Sequence, residues 1–203
     1  MRIIGGLAAG RILKVPKGFD VRPTPDLVRQ AVFNSLGERV AGTRVLDLFS
    51  GTAALGLECL SRGATQVFSI EKSATHARFI RDNLLQSGLP VHAHELRVGD
   101  VFTLLAQLAA TDRQFDLVVA DPPYGEKNVG RRSTSLAQRL LDDADLPRLV
   151  TPGGWLVLGH TKRDTLSLPT TWEETRVLKH GDSVMRLLRL NATPAAPEPT
   201  PVG

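Results

Sequence analysis

The sequence predicts an α/β fold in which a mostly parallel sheet of seven strands is covered by helices on both faces. Three observations lead there. From Thr43 onward short strand-forming runs alternate with helical repeats. The apolar run Phe115–Ala120 ends abruptly in Asp121-Pro122-Pro123-Tyr124, as a buried strand does where it leaves a sheet. After Thr170 the alternation gives way to two longer runs, 171–179 and 183–190, joined by His180-Gly181-Asp182, which predicts a closing β-hairpin.

Residues 1–37 stand apart from this pattern. Met1–Gly6 and Gly10–Pro16 predict two short strands around a glycine-containing turn. This arm carries Arg2, Arg11, Lys14 and Lys17, with no acid before Asp20. A helix follows, with Thr24 as its N-cap, Pro25 at the first helical position and Asp26 in the first turn. Leu27, Val28, Ala31, Val32 and Leu36 keep helical spacing, and Gly37 supplies the stop.

In the alternating region strands are predicted at 44–49, 67–70, 94–98, 115–120 and 155–158. The helices between them are predicted at 53–62, 73–86, 101–109 and 134–143. The organisation is therefore a basic hairpin-and-helix extension over 1–37, a ligand-binding domain over 38–190 and a tail over 191–203. Prolines at 194, 197, 199 and 201 predict disorder in that tail.

A chain of 203 residues with 42% apolar and 23% charged residues can bury one sizeable core and is not of disordered composition. Its single cysteine, Cys59, excludes an internal disulfide and a multi-cysteine zinc site. His92 and His94 alternate, but nothing completes a metal site around them, so no metal is expected. No run is long and apolar enough to span a membrane and no signal-peptide core precedes the arm, which predicts a cytoplasmic protein without a membrane partner. Asn191-Ala192-Thr193 matches a glycosylation acceptor that has no use without secretion. A net charge of +4 suits a polyanionic partner without proving one.

In a doubly wound sheet, ligands bind beyond the carboxyl ends of the strands. The first strand of the alternation ends Asp47-Leu48-Phe49-Ser50-Gly51-Thr52-Ala53-Ala54-Leu55-Gly56. Gly51 lets the chain turn tightly against a ligand, and Gly56 permits close helix packing. Ala53 takes the middle position of a G-x-G-x-x-G pattern, so the dinucleotide fingerprint is broken. Glu71, ending the second strand, stands where an acid grips ribose hydroxyls, although a helix N-terminal acid would sit there too. Asp100, ending the third, is placed for an adenine amine, for the N-cap of the next helix, or for both. At the end of the fourth strand the two prolines stiffen a turn that presents the Asp121 carboxylate, the Pro122 carbonyl and the Tyr124 ring. Two acceptors beside a stacking surface suit a planar base that carries an exocyclic amine.

Asp47 to Gly56, Glu71, Asp100 and Asp121 to Tyr124 stand in the order found in class I S-adenosylmethionine-dependent methyltransferases, a Rossmann-like fold. Arg2-Ile3-Ile4-Gly5-Gly6, Arg22-Pro23-Thr24, Val28-Arg29, Phe33-Asn34, Leu55-Gly56-Leu57-Glu58 and Ser61-Arg62-Gly63-Ala64 narrow the match. They resemble the RsmD family, bacterial enzymes that methylate the N2 amine of a guanine in 16S ribosomal RNA. The resemblance runs over about residues 1–190.

The resemblance implies S-adenosylmethionine as cofactor, held by Asp47, Phe49, Ser50, Gly51, Thr52, Ala53, Gly56, Glu71, Lys72, Asp100 and Val101. It implies that Asp121 and Pro122 accept the amine's hydrogens, that Pro123 keeps the turn rigid and that Tyr124 stacks on the base. Asp121 could act as acceptor only or also as base. Arg2, Arg11, Arg22 and Arg29 are expected to meet RNA phosphates, and Gly125–Arg132 to form a loop over the site. The implied partner is ribosomal RNA or the small ribosomal subunit, met by a monomer.

The family has glycine where this chain has Ala53, so a Cβ is expected to crowd the methionine end of the cofactor. Rival readings are methylation of another amine, such as adenine in DNA or RNA or a glutamine in a protein, and a non-catalytic RNA-binding assembly factor. A DNA adenine enzyme with this motif order would carry a target-recognition domain for which 203 residues leave no room. The glutamine enzymes have Asn at the position of Asp121.

Overall fold

The computed structural model describes residues 1–16, 24–124 and 131–191. Lys17, Arg22, residues 125–130 of the predicted loop and the tail from Ala192 lie outside them. The elements are α1 (Asp26–Leu36), β1 (Arg44–Leu48), α2 (Ala54–Ser61), β2 (Gln66–Glu71), α3 (Ala74–Ser87), β3 (His94–Val98), α4 (Val101–Ala109), β4 (Phe115–Ala120), α5 (Leu136–Leu141), β5 (Val150–Thr161), β6 (Trp172–His180) and β7 (Ser183–Leu190). They build one seven-stranded sheet in the order β3-β2-β1-β4-β5-β7-β6. β1 to β5 pair in parallel, and β7 pairs antiparallel with both β5 and β6. The predicted fold class therefore holds.

Alternate residues of each inner strand feed two cores. Val45, Val67, Leu117, Val119 and Val157 pack under α1, α2 and α3. Leu46, Leu48, Phe68, Ile70, Val118, Ala120, Leu156 and Leu158 pack on the other face under α4 and α5. Both faces of β1 and β4 are largely dry, which explains why their sequences are mostly apolar apart from Asp47 and Asp116.

Two elements differ from expectation by two residues or more at their ends, for identifiable reasons. β5 begins at Val150 instead of Trp155, because a register shift against β4 absorbs the residues around Pro152 and the left-handed Gly153. α5 is two residues shorter at each end than predicted, starting after Ser135, whose side chain accepts from the Gln138 amide.

Thr24 does not cap α1. Pro25 takes the N-cap position without a side-chain cap bond, and the amides of Val28 and Arg29 bond to its carbonyl. The Thr24 hydroxyl instead donates to Asp121, 97 residues away.

The N-terminal arm pairs as predicted, but over a single antiparallel bridge between Arg2 and Ile12. It is not a separate unit. Ile3 and Leu13 are buried in the same core as β1 and α2. Helix side chains also satisfy its backbone. The fully buried Glu58 carboxylate accepts the amides of Ile4 and Gly5 at 2.7 and 2.9 Å, together with Arg62 Nε at 2.7 Å. Ser61 Oγ accepts from Ala8 N at 2.9 Å, and Asn83 brackets Lys14 through both its amide and its carbonyl. Gly6 lies so close to the Ser61 carbonyl that a Cβ there would sit 1.8 Å from it.

Arg29, expected at the RNA, is a structural residue. Its side chain is fully buried and donates to the Arg2 carbonyl and to Asp26 Oδ1, so no phosphate can reach it.

Glu58→Ala should strand two amides and Arg62 without their acceptor, lowering stability by about 3 kcal/mol. Urea denaturation measures the loss, and hydrogen exchange should show it concentrated at residues 3–13.

Candidate active site

The sheet changes direction between β1 and β4, which pair with Leu48 opposite Ala120. Chains leaving the carboxyl ends of these two strands part to opposite faces, and the crevice between them is where ligands bind in such sheets. Here the turn Phe49–Ala53 and the turn Asp121–Tyr124 leave side by side. An open cleft of about 630 Å³ lies outside them, within the range of small-molecule sites. It is lined by Phe49, Gly51, Glu71, Lys72, His76, Asp100, Val101 and Phe102 on one side and by Asp121 to Tyr124, Leu136 and Arg139 on the other. A narrower inner pocket continues from it, closed by Met1, Val15, Pro16 and Thr24 and floored by Asp47 to Thr52.

The first turn is conformationally costly. Phe49, Gly51 and Ala53 all adopt left-handed backbone, with φ of 54°, 58° and 57°. Gly51 does so freely, whereas each of the other two costs about 1 kcal/mol. Tertiary contacts hold the bend. Glu71 accepts the Gly51 amide on one oxygen and the Ser73 amide on the other, both at 2.7 Å. Ser50 Oγ donates to the Asp47 carbonyl at 2.7 Å, and the Phe49 ring packs edge-on against Phe102 at 6.1 Å.

Ala53 corrects the expected steric clash. Its side chain is fully buried in the core under α2 and lines neither part of the cleft. The cost of alanine here is therefore backbone strain and not crowding of a ligand. Gly56 also faces inward: a Cβ on it would lie 2.7 Å from Asp47 Oδ2 and 3.0 Å from Val67, so it permits packing and lines neither pocket.

Asp47 is 1% exposed at the floor of the inner pocket. Burial pushes its carboxyl up to about 7, against hydrogen bonds from Ser50, Ser69 and the Gly56 amide that favour the ion. Ser69 Oγ links it at 3.2 Å to His94 Nε2, itself 3.0 Å away, and burial lowers His94 to about 4.

On the outer rim Asp100 caps α4, with Oδ1 accepting from Phe102 N and Thr103 N at 3.1 and 3.2 Å. Its Oδ2 lies 4.0 Å from the exposed Lys72 ammonium, and the residue lines the cleft. The cap and a ligand contact are thus compatible on different oxygens. Val101 lines the cleft behind it.

At the second turn Pro122 is buried, while Pro123 and Tyr124 are exposed. Tyr124 OH lies 3.0 Å from Ser183 Oγ, so the β6–β7 hairpin steadies the ring. Burial raises the Asp121 carboxyl, and the Thr24 bond opposes that rise. Asp121 Oδ1 is buried and has no hydrogen-bond partner among the described residues.

Sequence reading missed Thr24, the closing residues Met1, Val15 and Pro16, and His76, whose Nδ1 lies 3.6 Å from Glu71 Oε1. None belongs to a local pattern that points at the cleft. Arg132, expected in the loop over the site, pairs with Asp142 at 2.7 Å. Among the described residues no group of three His, Cys, Asp or Glu side chains is placed to hold a metal ion, and no helix is long and apolar enough to cross a membrane.

A family model described as conserved hypothetical protein 95 matches residues 1–189. The chain belongs to this family, the RsmD family that its motifs resemble. It is similar to ribosomal RNA small subunit methyltransferase D of Escherichia coli K12, with 31% identity over 199 residues that cover 95% of this chain and 91% of the relative. Among solved structures, a hypothetical protein of Thermus thermophilus superposes with a TM-score of 0.75 at 30% identity, covering 92% of this chain and 98% of its own. An RNA methyltransferase of Salinibacter ruber in complex with S-adenosyl-L-homocysteine shares the fold, with a TM-score of 0.59 at 19% identity over 88% of this chain and 98% of its own.

Two outcomes check the first turn. Ala53→Val places a β-branched side chain at positive φ in a full core, and should cost more than about 2 kcal/mol in urea denaturation. Asp47 has a folded value raised above its ordinary 3.8, so its share of stability is present at low pH and lost as pH rises towards about 7. Asp47→Asn should flatten that decline when unfolding is measured across the same window.

Proposed function

We propose that this member of the family transfers the methyl group of S-adenosylmethionine to the exocyclic N2 amine of a guanine in small-subunit ribosomal RNA. The observation that carries the reading is the Asp121 carboxylate, which lines both the cleft and the inner pocket beside Pro122. Oδ2, which accepts from Thr24, keeps a second lone pair for a substrate N–H.

The residues fit the cofactor. Gly51 bends the first turn without a side chain, the acids Glu71 and Asp100 stand at the rim for ribose hydroxyls and an amine, and Phe49, Val101 and Phe102 give an apolar wall for a purine. Both Glu71 oxygens already accept an amide, but each keeps a second lone pair. Phe49, Ser50, Gly51, Thr52, Lys72 and Val101 line the site, Asp47 forms part of its floor and Ala53 supports it from behind. When bound, the cofactor supplies an electrophilic sulfonium methyl.

The chain's own groups make the amine reactive. The guanine amine is a poor nucleophile because its lone pair is delocalised into the ring. Asp121 and the Pro122 carbonyl accept its two N–H groups and draw the nitrogen towards tetrahedral geometry. Pro123 stiffens the turn, and Tyr124 stacks on the base. This is positioning and preorganised electrostatics, and it uses no metal. The nitrogen's surplus proton leaves to Asp121 or to water after the new N–C bond forms.

The base must be unstacked to enter, as in a loop or by flipping. The exposed Arg2 and Arg11 on the arm offer phosphate contacts beside the inner pocket that Val15 and Pro16 help close. Arg22 extends the same basic segment.

Asp121→Ala should cut methyl transfer at least about 100-fold while S-adenosylhomocysteine affinity, read by calorimetry, stays nearly unchanged. Mass-spectrometric mapping of small-subunit RNA methylated in vitro identifies the base and atom. A different methylated atom would overturn the guanine assignment, and no binding of S-adenosylhomocysteine by the intact protein would favour a non-catalytic RNA-binding role.

A further inference from the structure

We infer that Thr24 is a positioning residue for methyl transfer: its hydroxyl holds the Asp121 carboxylate in the orientation from which it accepts the substrate amine. The inference rests on the reading of Asp121 as that acceptor.

Thr24 Oγ1 donates to Asp121 Oδ2, and among the described residues this is the carboxylate's one hydrogen bond. The bond joins the segment preceding α1 to the turn after β4, two elements with no sequence proximity. Thr24 also stands one residue before the N-cap of α1, which has no side-chain cap bond. A cap is worth about 1 kcal/mol, yet the one hydroxyl at hand is directed across the inner pocket instead.

The opposite wall of the carboxylate is Gly159 in β5. A Cβ there would lie 2.2 Å from Asp121 Oδ1 and 3.1 Å from Met185 Sδ of β7. Asp121 thus sits in a slot with a hydroxyl on one side and a missing side chain on the other. Neither wall presents a charge to it. Met1, Asp47 and His76 line the same inner pocket, and His160 follows Gly159 with its ring bonded to Arg186 and the Thr161 carbonyl. Burial and the Thr24 bond are the influences on its ionisation, the first raising the carboxyl and the second opposing the rise. The Thr24 hydroxyl therefore orients the acceptor and also favours its ionised, accepting form.

A structural role alone would change stability and leave the pH dependence of turnover in place. The test compares Thr24→Val, Thr24→Ala and Thr24→Ser with Asp121→Ala in the full-length protein. Methylation of small-subunit RNA is followed from about pH 5 to pH 9, with S-adenosylhomocysteine titration to confirm each variant's fold. Thr24→Val and Thr24→Ala should lower kcat about 10–100-fold with KM for RNA within about two-fold, and should move the acid limb of the profile to higher pH. Thr24→Ser should recover most of the rate and return the limb towards its original place.

Wild-type rate and an unmoved limb in the Thr24→Ala variant, with Asp121→Ala inactive, would overturn the inference while leaving Asp121 in its role. A serine variant as impaired as valine would overturn it too. Full activity of Asp121→Ala would instead remove the acceptor reading on which it rests. If Thr24→Val fails to bind S-adenosylhomocysteine, the smaller alanine change decides.

Discussion

Parallel pairing of β1 with β4, in a register that sets Leu48 beside Ala120, obliges two tight turns to leave the sheet at one point. Everything in the cleft depends on that adjacency. Phe49 to Ala53 bends towards α2 on one face, and Asp121 to Tyr124 leaves towards α5 on the other. The gap between their diverging paths cannot be filled by either helix. Both strands are buried on both faces, so the register cannot slip without moving apolar side chains out of two cores.

That rigid base tolerates expensive local choices at its rim. Phe49 and Ala53 hold left-handed backbone, the Asp47 carboxyl is pushed up to about 7, and Asp121 keeps a buried oxygen without a partner. Such features persist where the surroundings over-determine them, and they gather where a ligand is handled. Glu71 illustrates the economy of the arrangement. One carboxylate ties the glycine turn to the start of α3 and still presents lone pairs to the cleft.

The N-terminal arm is tied down by the same logic. Its one-bridge hairpin has too few internal bonds to stand alone, so α2 and α3 supply the missing partners through Glu58, Ser61 and Asn83. Asn83 Nδ2 also reaches the Thr52 carbonyl at 3.2 Å, linking the arm to the first turn. Seating the arm therefore shapes the inner pocket, which Met1, Val15 and Pro16 help close.

The order of strands and helices, the ends of β3, α4, β4 and β7, Gly51 at the bend and the stiff Asp-Pro-Pro-Tyr turn were legible in the sequence. They depend on periodicity and turn chemistry, which act over a few residues. Asp100 was legible as both cap and rim acid for the same reason. Tertiary structure alone decided where long or ambiguous side chains went. Thr24 had the local signature of a cap, but a buried carboxylate 97 residues away claimed its hydroxyl. Arg29 belonged to a basic segment and yet became the buried partner of Asp26 and of the Arg2 carbonyl. Ala53 turned its methyl into the core instead of the cleft. A donor, a charge or a methyl is settled by whichever partner the completed sheet brings within reach, and no local pattern contains that information.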